Sequence, residues 1–174
     1  SPIDGRYGSK TRELGEILSE YGLIKYRVKV EASWLQTLAA EPDIGEIKPL
    51  GKEANQFLDS MVDDFSIEDA EQVKEIETTT NHDVKAVEYF IKQRISGNNE
   101  LNAITEFIHF ACTSEDINNL CHGLMLRDAR QQVILPALDK LVNSLGQIAT
   151  GLANQPMLSR THGQTASPTT MGKE

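Results

Sequence analysis

The stretch "ILPALDKLVNSLGQIATGL", Ile134 to Leu152, decides the fold. Its Ile134, Leu138, Leu141, Leu145, Ile148 and Leu152 step by 4, 3, 4, 3 and 4 residues. That spacing keeps one apolar stripe along a helix and suits lengthwise packing on a second long helix. Pro136 has no N–H to donate, so the helix is expected to kink or restart just ahead of the seam. The seam could serve an intramolecular core or a bundle shared between subunits; we expect the shared bundle.

Upstream, the same helical spacing recurs. Leu14, Ile17, Leu18, Tyr21, Ile24, Val28, Leu35 and Leu38 follow three- and four-residue steps, with Gly22 as the expected break. Pro42, Gly45, Pro49 and Gly51 mark a loop. A short helix over 52–65 should place Phe57, Leu58, Met61 and Val62 on one side. Ser66 with Asp69 has capping-box spacing, so a helix begins there and should weaken at "TTTN", 78–81. Val84, Val87, Ile91 and Ile95 form the next stripe, and Leu101, Ile104, Phe107, Ile108 and Ala111 predict a further helix. Thr113 with Asp116 is a second capping box. Apolar and polar residues nowhere alternate cleanly between turn dipeptides, so strands are not expected. The expectation is an all-α fold: a small N-terminal helical domain over 1–112, then the start of a long-helix bundle domain over 113–174.

Composition narrows the function classes. Of 174 residues, 39% are apolar and 25% charged, which is globular rather than disordered. No run approaches the roughly 20 apolar residues of a membrane helix, and the start lacks a signal-peptide layout, so no membrane role and a cytoplasmic location are expected. A net charge of -9 and the lack of a Lys/Arg cluster with aromatics argue against nucleic acid. An anionic ligand would then need local positive groups to draw it in. Cys112 and Cys121 sit in apolar-patterned segments and read as reduced core residues. The first residue is Ser and the last motif breaks off without a C-cap, so the chain is expected to be a fragment of a longer one.

Three polar clusters interrupt the helices: "TTTNHD" at 78–83, "HFACTSEDINN" at 109–119 and "SRTHGQTASPTT" at 159–170. They hold His82, His109 and His162, each able to titrate near neutral pH as acid, base or anion partner. No His-x-x-x-His or Cys-x-x-Cys spacing suggests a metal, and no Gly-x-Ser-x-Gly elbow suggests a hydrolase. "TSED" can be read as a helix cap or as an anion site at a helix N-terminus, and capping alone explains its residue types. The third cluster holds more than a turn needs. An imidazolium at His162 could protonate a leaving nitrogen or oxygen while Thr161 and Gln164 orient carboxylates, which fits elimination better than hydrolysis.

"SRTHGQTASPTT" and "TSEDIN" resemble the Thr-His-x-Gln and Thr-Ser-x-Asp-Ile-Asn segments of the fumarase/aspartase superfamily. "SPIDGRY" at 1–7 and "TTNHDVKAVEYF" at 79–90 are similar to its adenylosuccinate lyase branch, of the larger bacterial type. The resemblance spans the whole chain, with four motifs in order. It implies β-elimination of fumarate from adenylosuccinate, leaving AMP, and from the succinylated aminoimidazole carboxamide ribotide, without a cofactor or metal. It implies His162 as the acid that protonates the departing amine. Arg6 and Tyr7 are implied as nucleotide-phosphate contacts, and Asn81, His82 and Asp83 as a second substrate-binding segment. Thr113 and Ser114 are implied to hold carboxylate or nucleotide polar groups, with His109, Thr161 and Gln164 also in the site.

Thr165 stands where family members commonly have Pro. The family's Ser-Ser-x-Met-Pro-x-Lys-x-Asn loop, whose serine is taken as the base, is absent from the 174 residues. The resemblance therefore implies an acid without its base, a fragment inactive alone, and a homotetramer whose sites are each built from three subunits. Two other readings stay open here: another lyase of the superfamily, such as one acting on argininosuccinate, or a non-catalytic helical assembly module.

Overall fold

A computed structural model of the chain describes residues 5–174, so the first four residues of the "SPIDGRY" motif lie outside the described residues. Two compact units divide the chain between Ala129 and Arg130. The first carries α1 (Arg12–Leu18), α2 (Glu20–Ala40), α3 (Lys52–Asp63), α4 (Ile67–Thr80), α5 (Asp83–Ile95), the short α6 (Asn99–Asn102) and α7 (Ser114–Ala129). The expected change of domain at residue 112 falls inside this unit, ahead of α7, whose Ile117, Cys121, Met125 and Ala129 are buried.

Helix α2 is the central post, in contact with α1, α3, α4, α5 and α7. Its Val28 and Leu35 are fully buried with Leu58, Val87, Phe90, Ile91, Ile95 and Leu101. Burial of such a side chain contributes about 1.5–3 kcal/mol, so this core is the main source of stability. Phe65 meets Phe90 edge-on at 5.8 Å, and the Tyr21 hydroxyl donates to the Phe65 carbonyl at 2.8 Å. On α3, Ala54, Leu58 and Met61 face the core, whereas Phe57 is exposed.

The break between α1 and α2 falls at Ser19, whose hydroxyl accepts the Gly22 N–H at 3.2 Å, and not at Gly22. Gly22 lies in the first turn of α2, where the end of α1 presses on it: a Cβ there would sit 2.3 Å from the Ile17 carbonyl oxygen. Gly→Ala in an exposed helix interior stabilises by about 1 kcal/mol. Here the obstacle is backbone that no rotamer change can clear, so Gly22→Ala is expected to destabilise by about 1–3 kcal/mol. A raised melting temperature in that variant would contradict this packing.

The Ser66–Asp69 capping box is present, with both reciprocal bonds, at 3.0 and 3.2 Å. Helix α4 runs through all three threonines and stops at Asn81, which takes a left-handed conformation (φ 50°). The predicted helix over 101–111 does not form as such. Leu101, Ile104 and Ile108 are buried as their spacing suggested, but the backbone runs α6, a 3₁₀ turn at Thr105–Phe107, then left-handed residues at His109 and Ala111.

The second unit opens on a π-helical turn, Arg130–Ile134, followed by α8 (Leu135–Gly151) with Pro136 in its first turn. Ile134, ahead of α8, is itself helical (φ -70°, ψ -51°), so the kink or restart expected at Pro136 takes the form of a change from π- to α-helix. No residue of α8 is buried: Leu138, Leu141, Leu145 and Ile148 are 49, 54, 57 and 57% exposed. After α8 the chain forms an antiparallel hairpin, β1 (Pro156–Thr161) and β2 (Gln164–Thr170), with an irregularity between Leu158 and Arg160. This corrects the expectation of no strands. Both strands are largely exposed, so no apolar alternation announces them. What forms them is a two-residue turn at His162 and Gly163, both with positive φ (51° and 76°), between threonine-rich flanks.

Candidate functional site

Two of the three polar clusters meet in the first unit. Asn81 ends α4, and its left-handed backbone turns the chain so that His82, extended, caps α5. The His82 Nδ1 accepts the Lys85 N–H at 3.1 Å, which leaves the ring proton on Nε2. That Nε2 points at the Ser114 hydroxyl, 3.4 Å away. The segments at 81–83 and 113–114 are thus adjacent.

Thr113 and Ser114 are not equivalent. Thr113 closes its capping box with Asp116: its N–H and hydroxyl both donate to Asp116 Oδ2, at 2.7 and 2.9 Å, and its oxygen accepts the Asp116 N–H at 3.3 Å. These bonds to Thr113 hold the Asp116 carboxyl below the usual range. Ser114 keeps its hydroxyl on the His82 side.

His109 sits at φ 62° with its ring Nδ1 2.6 Å from Glu31 Oε1 and its backbone N–H donating to Glu31 Oε2 at 3.1 Å. Burial pushes the Glu31 carboxyl up while His109 pulls it down, and the net direction is up. Asp83 accepts from Arg27 at 2.5 Å and from the Val84 N–H at 2.8 Å. Burial alone would raise Asp83, but these two donors hold it below its ordinary value. Burial also pushes both free thiols up, Cys121 to about 12, which makes them poor nucleophiles.

Arg6 and Tyr7 lie on the turn before α1, the guanidinium 5.4 Å from the centre of the Tyr7 ring, and both are exposed. No hydrogen bond joins them to the other candidates among the described residues. In the second unit, Thr161 pairs with Gln164 across the hairpin turn and His162 stands exposed at its tip.

Arg27 and Glu31 carry no expectation from the sequence, and Asn118 falls inside the 109–119 cluster and the "TSEDIN" segment without a role of its own. The signal existed: Arg27 and Glu31 occupy slots of the apolar row Ile24, Val28, Leu35, where a charged residue needs a buried partner.

The carboxylates predict an acid transition. Asp83, Glu88, under its lysines Lys85 and Lys92, and Asp128, beside Arg127 and Tyr26, all have folded pKa values below their unfolded ones. Their stabilisation is present above the unfolded range and is lost as pH falls through the lowered folded values. Glu31 has the opposite sign and blunts the loss. Melting temperature is therefore expected to fall steeply below about pH 4, and less steeply in Asp83→Asn. A flat profile from pH 5 to pH 3 would contradict it.

The model of a lyase family matches residues 5–174, and the chain belongs to that family. All 174 residues align with the adenylosuccinate lyases of Vibrio cholerae, Haemophilus influenzae and Escherichia coli strain K12, at 58, 57 and 56% identity. The chain spans 38% of the length of each of these relatives. Among solved structures, the fumarate lyase from Mesorhizobium sp. BNC1 has a TM-score of 0.67 at 21% identity, covering 94% of this chain and 35% of that one, a likeness of fold.

Proposed function

We propose that the whole protein cleaves adenylosuccinate to AMP and fumarate by β-elimination, and treats the succinylated carboxamide ribotide in the same way. The single observation that carries this is the 58% identity over all 174 residues to a protein named adenylosuccinate lyase. A base takes a proton from the succinyl carbon beside a carboxylate; the C–N bond then breaks as the alkene of fumarate forms. In this reading His162 delivers a proton to the departing nitrogen, which leaves as the amine of the purine, and Thr161 and Gln164 orient the succinyl group. Ser114, beside His82, holds a substrate carboxylate, where fixed donors can stabilise charge that builds before the C–N bond breaks. Thr113 shapes the helix start on which Ser114 sits. His109, Asn81 and Asp83 complete that wall, and Arg6 with Tyr7 takes the nucleotide phosphate. The base is outside the 174 residues.

The apolar seam of α8 suits packing on further helices, and in this reading the whole protein is a homotetramer with sites shared between subunits. In that assembly residues 113–174 belong to the central bundle and 1–112 to the N-terminal domain. Cytoplasmic residence fits a biosynthetic enzyme, and among the described residues no helix is long and apolar enough to cross a membrane.

The test is fumarate release from adenylosuccinate by the whole protein, at its relatives' length, with argininosuccinate as the control. Turnover of the nucleotide substrate alone is expected. Turnover of argininosuccinate alone would overturn the reading.

A further inference from the structure

Two charged side chains with no part in the chemistry above are among the most buried of the first unit: Arg27 is 6% exposed and Glu31 1%. They lie one turn apart on α2. Burying a charge without partners is costly, and apolar residues in the same slots would fill the space more cheaply. Each charge is instead spent on a tie to another segment. Arg27 donates through Nη2 to Asp83 at the start of α5 and through Nε to Asn118 Oδ1 on α7, at 2.9 Å. Glu31 takes both the backbone N–H and the ring of His109, at the turn that leads into Thr113.

We infer that Arg27 and Glu31 are positioning residues, which from α2 hold the 81–83 segment and the 109–114 segment in register with each other. What the segments bind rests on the lyase reading; that they are tied does not. Three non-glycine residues here, Asn81, His109 and Ala111, hold left-handed conformations (φ 50°, 62° and 59°) that L-residues disfavour. Such turns persist when the surroundings over-determine them. The direct contact between the segments, Ser114 to His82 at 3.4 Å, is too long to set their register. The guanidinium is suited to the task, because one rigid plane donates to α5 and α7 at once, which a lysine ammonium on a flexible stem does not reproduce.

The test uses the whole protein with Arg27→Gln, Arg27→Lys, Asn118→Ala and Glu31→Gln, read by fumarate release and by amide hydrogen exchange. A displacement of about 1 Å can cost about a hundredfold in efficiency. Arg27→Gln and Asn118→Ala are expected to raise KM about tenfold or more, with a smaller fall in kcat. Amides of 82–86 and 114–118 should exchange faster, while those of α3 do not change. Arg27→Lys should recover part of the protection at 82–86 and little at 114–118, and Glu31→Gln should speed exchange at 109–114. KM within twofold of the parent in both variants, with unchanged exchange, overturns the inference. If the parent protein releases no fumarate, the lyase reading fails, and exchange alone then decides: faster at these segments supports the tie, unchanged refutes it. Should Arg27→Gln not fold, Asn118→Ala decides by the same two readouts.

Discussion

If His162 is the proposed acid, His162→Asn in the whole protein is expected to lower kcat about 10²–10⁴-fold, the usual contribution of a positioned general acid, with KM and the melting temperature near those of the parent. Asparagine is the right substitute because His162 sits at φ 51° in the hairpin turn, where Asn is tolerated and Ala is strained. His162→Ala would mix lost chemistry with a distorted turn. The side chain is exposed at the hairpin tip, so its loss removes no core packing. A variant with kcat within threefold of the parent would remove His162 from the chemistry and leave the hairpin a surface turn.

Leu141→Glu with Leu145→Glu in the whole protein is expected to dissociate the proposed oligomer. Both side chains are more than half exposed on α8, in a seam that none of the described residues buries, within a chain that spans 38% of its relatives' length. A soluble protein rarely leaves so continuous an apolar stripe in water. Each such leucine gains on the order of 1 kcal/mol when its exposed half is covered, and a seam of six on each participating helix adds to roughly 10 kcal/mol or more for a pair. Two glutamates in the middle replace part of that gain with the cost of buried charge. Sedimentation should show the mass fall from that of an oligomer to that of one chain, with loss of turnover if sites are shared. An unchanged mass would show that the seam packs inside a single subunit.

Much of the fold is legible in the chain because helices are local objects. The stripe Val84, Val87, Ile91, Ile95 is buried as read, and the boxes Ser66–Asp69 and Thr113–Asp116 cap the helices they announce, since both span three residues. Periodicity is weaker at telling the path of the backbone. Leu101, Ile104 and Ile108 do reach the core, yet two left-handed residues replace the helix that their spacing suggested. The hairpin escaped for the opposite reason, because strands wet on both faces carry no alternation to read. Gly22 reads as a break in the sequence, and in the fold it is a point of contact between two helices.

Within the candidate site, the chain by itself determined which residue types stand at the helix starts and the turn: His82, Thr113, Ser114 and His162, each set by capping or turn chemistry that acts over a few positions. Only the tertiary structure decided that His82 faces Ser114, 32 positions away, and that Arg27 joins Asp83, 56 positions away. Those pairs depend on how α2, α5 and α7 pack. Packing is chosen by the sum of many apolar contacts, none of which is marked in the local spacing of the residues it brings together.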